Sequence, residues 1–113
     1  MTNKIYSFIG LATKAGKLIS GDETCEKAIR PGKVFLLIIS GEASENTKQK
    51  FSQMCEYRGV EMRIFGEKEL LGRYAGKEYR SVVAILEQGF AKRLIEMIDV
   101  KDLENGGGFI GKS

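Results

Sequence analysis

Ile5, Phe8, Ile9 and Ala12 recur on one face of a helix predicted from Asn3 to Lys14, which Gly16 closes. Leu18-Ile19 reads as a short strand. Gly21 turns the chain into a second helix, Asp22 to Arg30, with Cys25, Ala28 and Ile29 inward and Pro31-Gly32 as its exit. The run VFLLII (34–39) is uninterrupted and of strand length, the pattern of a central strand covered on both faces. Ser44 caps a helix to about Arg58, with Phe51, Met54 and Cys55 inward and Gly59 as its stop. VEMRIF (60–65) alternates, as a strand with one covered face does. A short helix from Glu67 to Arg73, a loop AGKEY (75–79), a strand RSVVAIL (80–86) and a last helix from Gly89 to Ile98 follow. The alternation predicts an α/β sandwich with a sheet of about four strands between helical layers. After Asp99 the periodicity fades, so the expected organisation is one domain over residues 1–98 and a flexible glycine-rich tail over 99–113.

Composition narrows the chemistry. With 113 residues, 42% hydrophobic and 29% charged, the chain is long enough to bury a core without staples. There is no histidine, which excludes histidine-ligated metal sites and Ser-His or Cys-His catalysis. The two cysteines, Cys25 and Cys55, form no CxxC pair and fall at core-like positions, as packing thiols do. The longest apolar run, Val34 to Ile39, is too short to span a membrane. Polar and basic residues interrupt the N-terminal apolar stretch, and no cleavage-like site closes it; the expectation is a cytoplasmic protein. A monomer is the default.

The net charge of +3 suits a nucleic-acid partner without demanding one, but it is unevenly spread. Met1–Lys33 carries six basic and three acidic residues, and Arg73–Arg93 five basic and two acidic. Two basic stretches far apart in sequence can meet on one surface.

Four features compete for function. GGGFIGKS (106–113) fits a phosphate-loop pattern, yet VKDLEN ahead of it is not a buried strand, as such a loop requires. No cofactor is expected. The carboxylate pairs Asp22-Glu23 and Glu67/Glu69 have no metal cluster or nucleophile beside them, and acidic residues are commonplace in a first helical turn. The helix start at Gly21–Lys27 presents free backbone N–H groups after a glycine turn, and its carboxylates can accept from base amino groups. Finally, the loops SGEAS (40–44), with Gly41 and Glu42, and YAGKEYRS (74–81), with Lys77, Tyr79 and Arg80, can gather at one end of the sheet. The second loop offers charge for phosphates and an aromatic ring for stacking.

In this order IGLATKAGKLISG, the Lys27-Ala28-Ile29 helix with its Pro31-Gly32-Lys33 exit, LLIISGEASENTKQK, LLGRYAGKEYRSVVAI and EQGFAKRLIEMI resemble a known family. It is the kink-turn RNA-binding ribosomal-protein family typified by archaeal ribosomal protein L-seven-Ae, and the likeness is closest to its small bacterial YlxQ-like members. The resemblance implies a three-layer α/β/α sandwich with a central mixed sheet, no catalysis, and a structured RNA partner: a kink-turn or internally looped duplex, with ribosomal RNA a candidate. It places the helix start in a widened groove beside sheared G·A pairs and an apolar loop over a flipped-out nucleotide.

RNA-binding members usually carry Gly-x-Asn-Glu-x-x-Lys at the helix start. Gly21 and Lys27 fit, whereas Glu23 stands at the asparagine position and Thr24 at the glutamate position. An ionised glutamate only accepts hydrogen bonds, where asparagine also donates. At the tip of the second loop, Lys77-Glu78-Tyr79-Arg80 replaces the apolar cover. The implied contacts are therefore Gly21, Asp22, Glu23 and Thr24 at base edges, and Lys27, Lys33 and Lys77 on phosphates. Lys17, Gly41, Glu42, Glu78, Tyr79 and Arg80 complete the set. Two rivals remain at this stage: a protein-interaction module of the same fold that has lost RNA affinity, and a nucleotide-dependent enzyme using GKS.

Overall fold

Alternation of side chains along two strands divides the core. In a computed structural model, which describes residues 2–106, β2 (Leu36–Ile39) and β4 (Val82–Ile85) are buried along their whole length. Leu36, Ile38, Val83 and Ile85 point to one side of the sheet, with Ile5, Ile9, Leu71, Leu94 and Ile98. Leu37, Ile39, Val82 and Ala84 point to the other, with Cys25, Ile29, Phe51 and Cys55. The first side is covered by α1 (Thr2–Lys14), α4 (Lys68–Tyr74) and α5 (Gln88–Gly106), and the second by α2 (Asp22–Ile29) and α3 (Glu45–Arg58). The result is the three-layer α/β/α sandwich.

The sheet order is β1-β4-β2-β3, with β1 (Leu18–Ser20) and β3 (Glu61–Ile64) at the edges. β4 runs antiparallel to both neighbours, and β2 pairs parallel with β3, so the sheet is mixed. The C-terminal ends of β1, β2 and β3 and the N-terminal end of β4 therefore share one end of the sheet.

Local signals set most boundaries. Ser44 Oγ accepts from Thr47 N–H at 3.1 Å, and Gly59 closes α3 in the left-handed region at φ 70°. α4 begins and ends one residue later than predicted. The last helix departs further. It does not stop at Ile98 but continues to Gly106, so the segment expected to open the tail is helical. No glycine or proline interrupts the chain from Phe90 to Asn105. The apolar pattern fades because Val100 and Leu103 face solvent, while Asp99 is held by a two-pronged bond from Arg63 of β3 at 2.8 and 3.1 Å. The glycine-rich stretch 107–113, with most of the GKS motif, lies outside the described residues; what precedes it is helix rather than strand. Among the described residues, no helix is long and apolar enough to cross a membrane.

Both cysteines are buried and free. Burial pushes the Cys25 thiol up to about 12, with the neighbouring Asp22 carboxylate adding to the effect, and burial pushes the Cys55 thiol up to about 11. An unfolded thiol ionises at about 8.5. Above that value the unfolded chain sheds protons that the folded one keeps, so stability that is fully present at neutral pH is lost as pH rises towards the folded values. Urea unfolding should show a lower midpoint at about pH 10 than at about pH 7.5, and the drop should shrink in the Cys25→Ala, Cys55→Ala double variant. At neutral pH both thiols should resist alkylation until the protein unfolds; rapid labelling of the native protein would contradict their burial.

Candidate nucleic-acid interface

Backbone hydrogen bonds lace the loops at that one end of the sheet. Gly21 N–H donates to Val82 O at 3.0 Å, and Ser40 N–H to Ser81 O at 2.8 Å. Gly41 N–H donates to Gly66 O at 3.0 Å, and Arg80 N–H to Lys68 O at 3.1 Å. The start of α2, the 40–44 loop, the β3–α4 turn and the 75–81 loop thus form one continuous surface. Ser40 is fully buried, and its hydroxyl donates to Gly66 O at 2.9 Å while accepting from Glu42 N–H at 3.0 Å. Both capacities of the buried hydroxyl are used, so its desolvation is offset.

Gly21 makes the corner. Its φ of 100° is open to glycine but strained for other residues, and no side chain caps the helix that follows. Asp22, Glu23 and Thr24 are all exposed, while Cys25 behind them anchors the turn in the core. Lys27 stands one turn on, 4.0 Å from Glu23; both side chains are so exposed that the pair adds little to stability. Arg80 comes to the same corner: its Nε donates to Ser20 Oγ at 2.9 Å and its Nη1 to Tyr79 O at 2.8 Å. These two bonds fix the guanidinium beside Gly21, where an added Cβ would lie 3.9 Å from Arg80 Nε.

Tyr79 is 63% exposed, an aromatic face turned to solvent at the loop tip. Lys77 and Glu78 precede it, both exposed. Gly72 positions this loop from inside α4. A Cβ there would overlap the Glu78 carbonyl group and lie 2.7 Å from Tyr79 N. The loop backbone lies directly on the helix, which only glycine permits.

Not every expected contact residue lies here. Glu42 is spoken for in part: its carboxylate accepts from Lys68 N–H at 2.9 Å and caps α4, whose own N-cap residue, Glu67, makes no such bond. Lys17 pairs across from Leu86, at the opposite end of β4 from the Gly21–Val82 bond. Four residue steps along the strand separate the two points, roughly 13 Å at 3.3 Å per residue. Lys33 also lies at that far end, beyond the C-terminus of α2, where its N–H bonds Ala28 O and Phe35 N–H bonds Ile85 O. Conversely, Lys48 and Lys68 join the surface without having been singled out. Lys48 Nζ donates to Gly41 O at 3.0 Å, one turn past the Ser44 cap, a spacing readable in the sequence. The Ser20–Arg80 bond spans 60 positions and leaves no local signal.

The profile of the Ribosomal protein L7Ae/L30e/S12e/Gadd45 family matches residues 3–95. The RNA-binding protein YlxQ of Bacillus subtilis (strain 168) is 38% identical over 94 residues, covering 83% of this chain and 94% of that protein. The RNA-binding protein YlxQ of Enterococcus faecium is 39% identical over 97 residues, covering 85% and 92%. A solved structure, of a protein with unknown function from Bacillus halodurans C, superposes with a TM-score of 0.82 at 35% identity, covering 85% of this chain and 97% of that one.

Replacing Gly72 with alanine should push the 76–80 loop off α4. The expected cost is about 1–3 kcal/mol, read as a lower denaturation midpoint, together with faster amide exchange across 76–81. An alanine variant of unchanged stability and exchange would show that the loop does not rest on the helix.

Proposed function

Since the chain belongs to the Ribosomal protein L7Ae/L30e/S12e/Gadd45 family, we propose that it is a non-catalytic RNA-binding protein that grips a kinked or internally looped duplex with this end of its sheet. The observation that carries this reading is the convergence of the Gly21 corner with the Arg80–Tyr79 loop through β4. The relatives named as RNA-binding proteins support it.

The chemistry divides by residue. Gly21 has no side chain, so a groove can approach the start of α2 closely. The exposed carboxylates of Asp22 and Glu23 accept from exocyclic amino groups, which unpaired or sheared purines present and phosphates do not. A carboxylate near a polyanion is repelled unless it finds such donors, so these two residues exclude wrong partners more than they add affinity. Thr24 contributes a hydroxyl that both donates and accepts. Affinity comes from Lys27, Lys48, Lys68, Lys77 and Arg80 neutralising phosphates and releasing counterions. Tyr79 offers a stacking face for an unstacked base, worth about 1–3 kcal/mol. Lys17 and Lys33, at the other end of the sheet, stand outside this contact.

A kink-turn duplex and a control with its tandem G·A pairs changed to Watson–Crick pairs separate this reading from charge-driven association. Calorimetric titration should favour the kinked RNA at least tenfold. Lys77→Ala should weaken both RNAs and lower the salt slope by about 1, Glu23→Ala should narrow the gap between them, and Lys33→Ala should change neither. Equal affinity for the two RNAs would remove kink recognition, and a Lys33→Ala loss as large as that of Lys77→Ala would misplace the surface.

A further inference from the structure

The outward ridge of α1 follows the spacing Lys4, Ser7, Leu11, Lys14, three and four residues apart, which is the spacing of a helix face that packs against another helix. Nothing among the described residues covers it. Leu11, at its centre, is 52% exposed. A groove runs on each side of this ridge. One, of about 400 Å³, lies between α1 and α5 and is floored by Phe8, Leu11 and Met97. The other, of about 610 Å³, lies between α1 and α4 and is floored by Leu11, Gly10 and Tyr74. Gly10 keeps the second groove open, because a Cβ there would press on the Tyr74 ring at 3.3 Å.

The charged groups that line the grooves are cationic, with glutamates only at their margin. The charged side chains lining the two grooves are Lys4 and Arg93 in one, Lys14 and Arg73 in the other. The two arginines each reach a neighbouring glutamate, Arg93 to Glu96 at 3.5 Å and Arg73 to Glu69 at 3.2 Å, in exposed pairs that contribute little to stability. Lys4 and Lys14 make no ion pair among the described residues. They stand at the two ends of the ridge, ten residues or about 15 Å apart along the helix.

We infer that this face docks an acidic amphipathic helix of a partner protein, of about three turns, laid along α1. Its apolar stripe fills a groove beside Leu11, and its terminal carboxylates reach Lys4 and Lys14. The apolar floor decides for a helix over a second RNA segment. A phosphate backbone needs the cations but gains nothing from covering Phe8, Leu11 and Met97, whereas an amphipathic helix uses both. The groove between α1 and α5 lies on the helical layer opposite α2, so an RNA held at the Gly21 corner and a peptide in that groove can be bound together, whereas the groove between α1 and α4 ends at Gly76 of the 75–81 loop.

The probe is a labelled synthetic helix of about 14 residues with leucines at i, i+3, i+7 and i+10 and glutamates at both ends, followed by fluorescence anisotropy with the full chain at low salt. It should bind saturably, one to one. Leu11→Glu and, independently, Lys14→Glu should each weaken it at least tenfold, and Lys27→Ala should leave it unchanged. Both substitutions fall on exposed positions, and thermal melts confirm that the variants fold. A control peptide with lysines in place of the glutamates should fail to bind. The inference is overturned if no saturable binding occurs, if the basic control binds equally, or if Leu11→Glu leaves binding intact. It is also overturned if Leu11→Glu and Lys14→Glu weaken kink-turn RNA instead of the peptide, which would make the face part of the RNA surface.

Discussion

The insertion of β4 between β1 and β2, antiparallel to both, is the constraint on which the surface rests. Because β4 enters the sheet where β1 and β2 leave it, the chain just before β4 is brought against the corner after β1 and the loop after β2. Two backbone bonds, at Gly21–Val82 and Ser40–Ser81, secure the junction. Behind it, the buried Ser40 hydroxyl ties the 40–44 loop to Gly66. Removing that hydroxyl would take the Ser40 Oγ partner from Glu42 N–H and leave Gly66 O with the Gly41 N–H alone, at about 1 kcal/mol. The surface is thus built from the ends of a rigid sheet, and its parts cannot drift apart without breaking the core.

Charge on this surface is deliberately mixed in effect. Lysines and an arginine surround a helix start that carries two carboxylates. If affinity for phosphate were all that mattered, Asp22 and Glu23 would work against it, by up to ~1 kcal/mol each at exposed positions. Their placement makes sense when the partner offers amino donors at that point and phosphates around it. The anchoring of Arg80 by Ser20 and by the Tyr79 carbonyl supports the same division. A guanidinium with its orientation already fixed loses less entropy on binding than a free lysine does.

Local chemistry made much of the fold legible. The Ser44 cap and the Gly59 stop are each encoded within a few residues and the structure realises both, while the VFLLII run becomes a buried strand only from Leu36 to Ile39, Phe35 ahead of it being exposed. What escaped is non-local. Asp99, where α5 runs on past Ile98, is held by Arg63 of β3, 36 positions away, and the solvent-facing Val100 and Leu103 blur the apolar pattern. Glu42 looked like a loop carboxylate, and only the packing of α4 against that loop turns it into a cap. Lys17 and Lys33 flank α2 in sequence, but an extended strand and a full helix carry them to the other end of the sheet. The glycine at 72 reads as a blemish in a short helix until the loop backbone that lies on it is seen.

Amide chemical-shift mapping during titration with a kink-turn RNA reports every residue at once and so locates the RNA on the protein. The large shifts should fall together on residues 20–24, 40–44, 66–68 and 77–81, with 17, 33 and the outer face of α1 little changed. Shifts centred on 17 and 33, or scattered over the basic residues without regard to the end of the sheet, would contradict that placement.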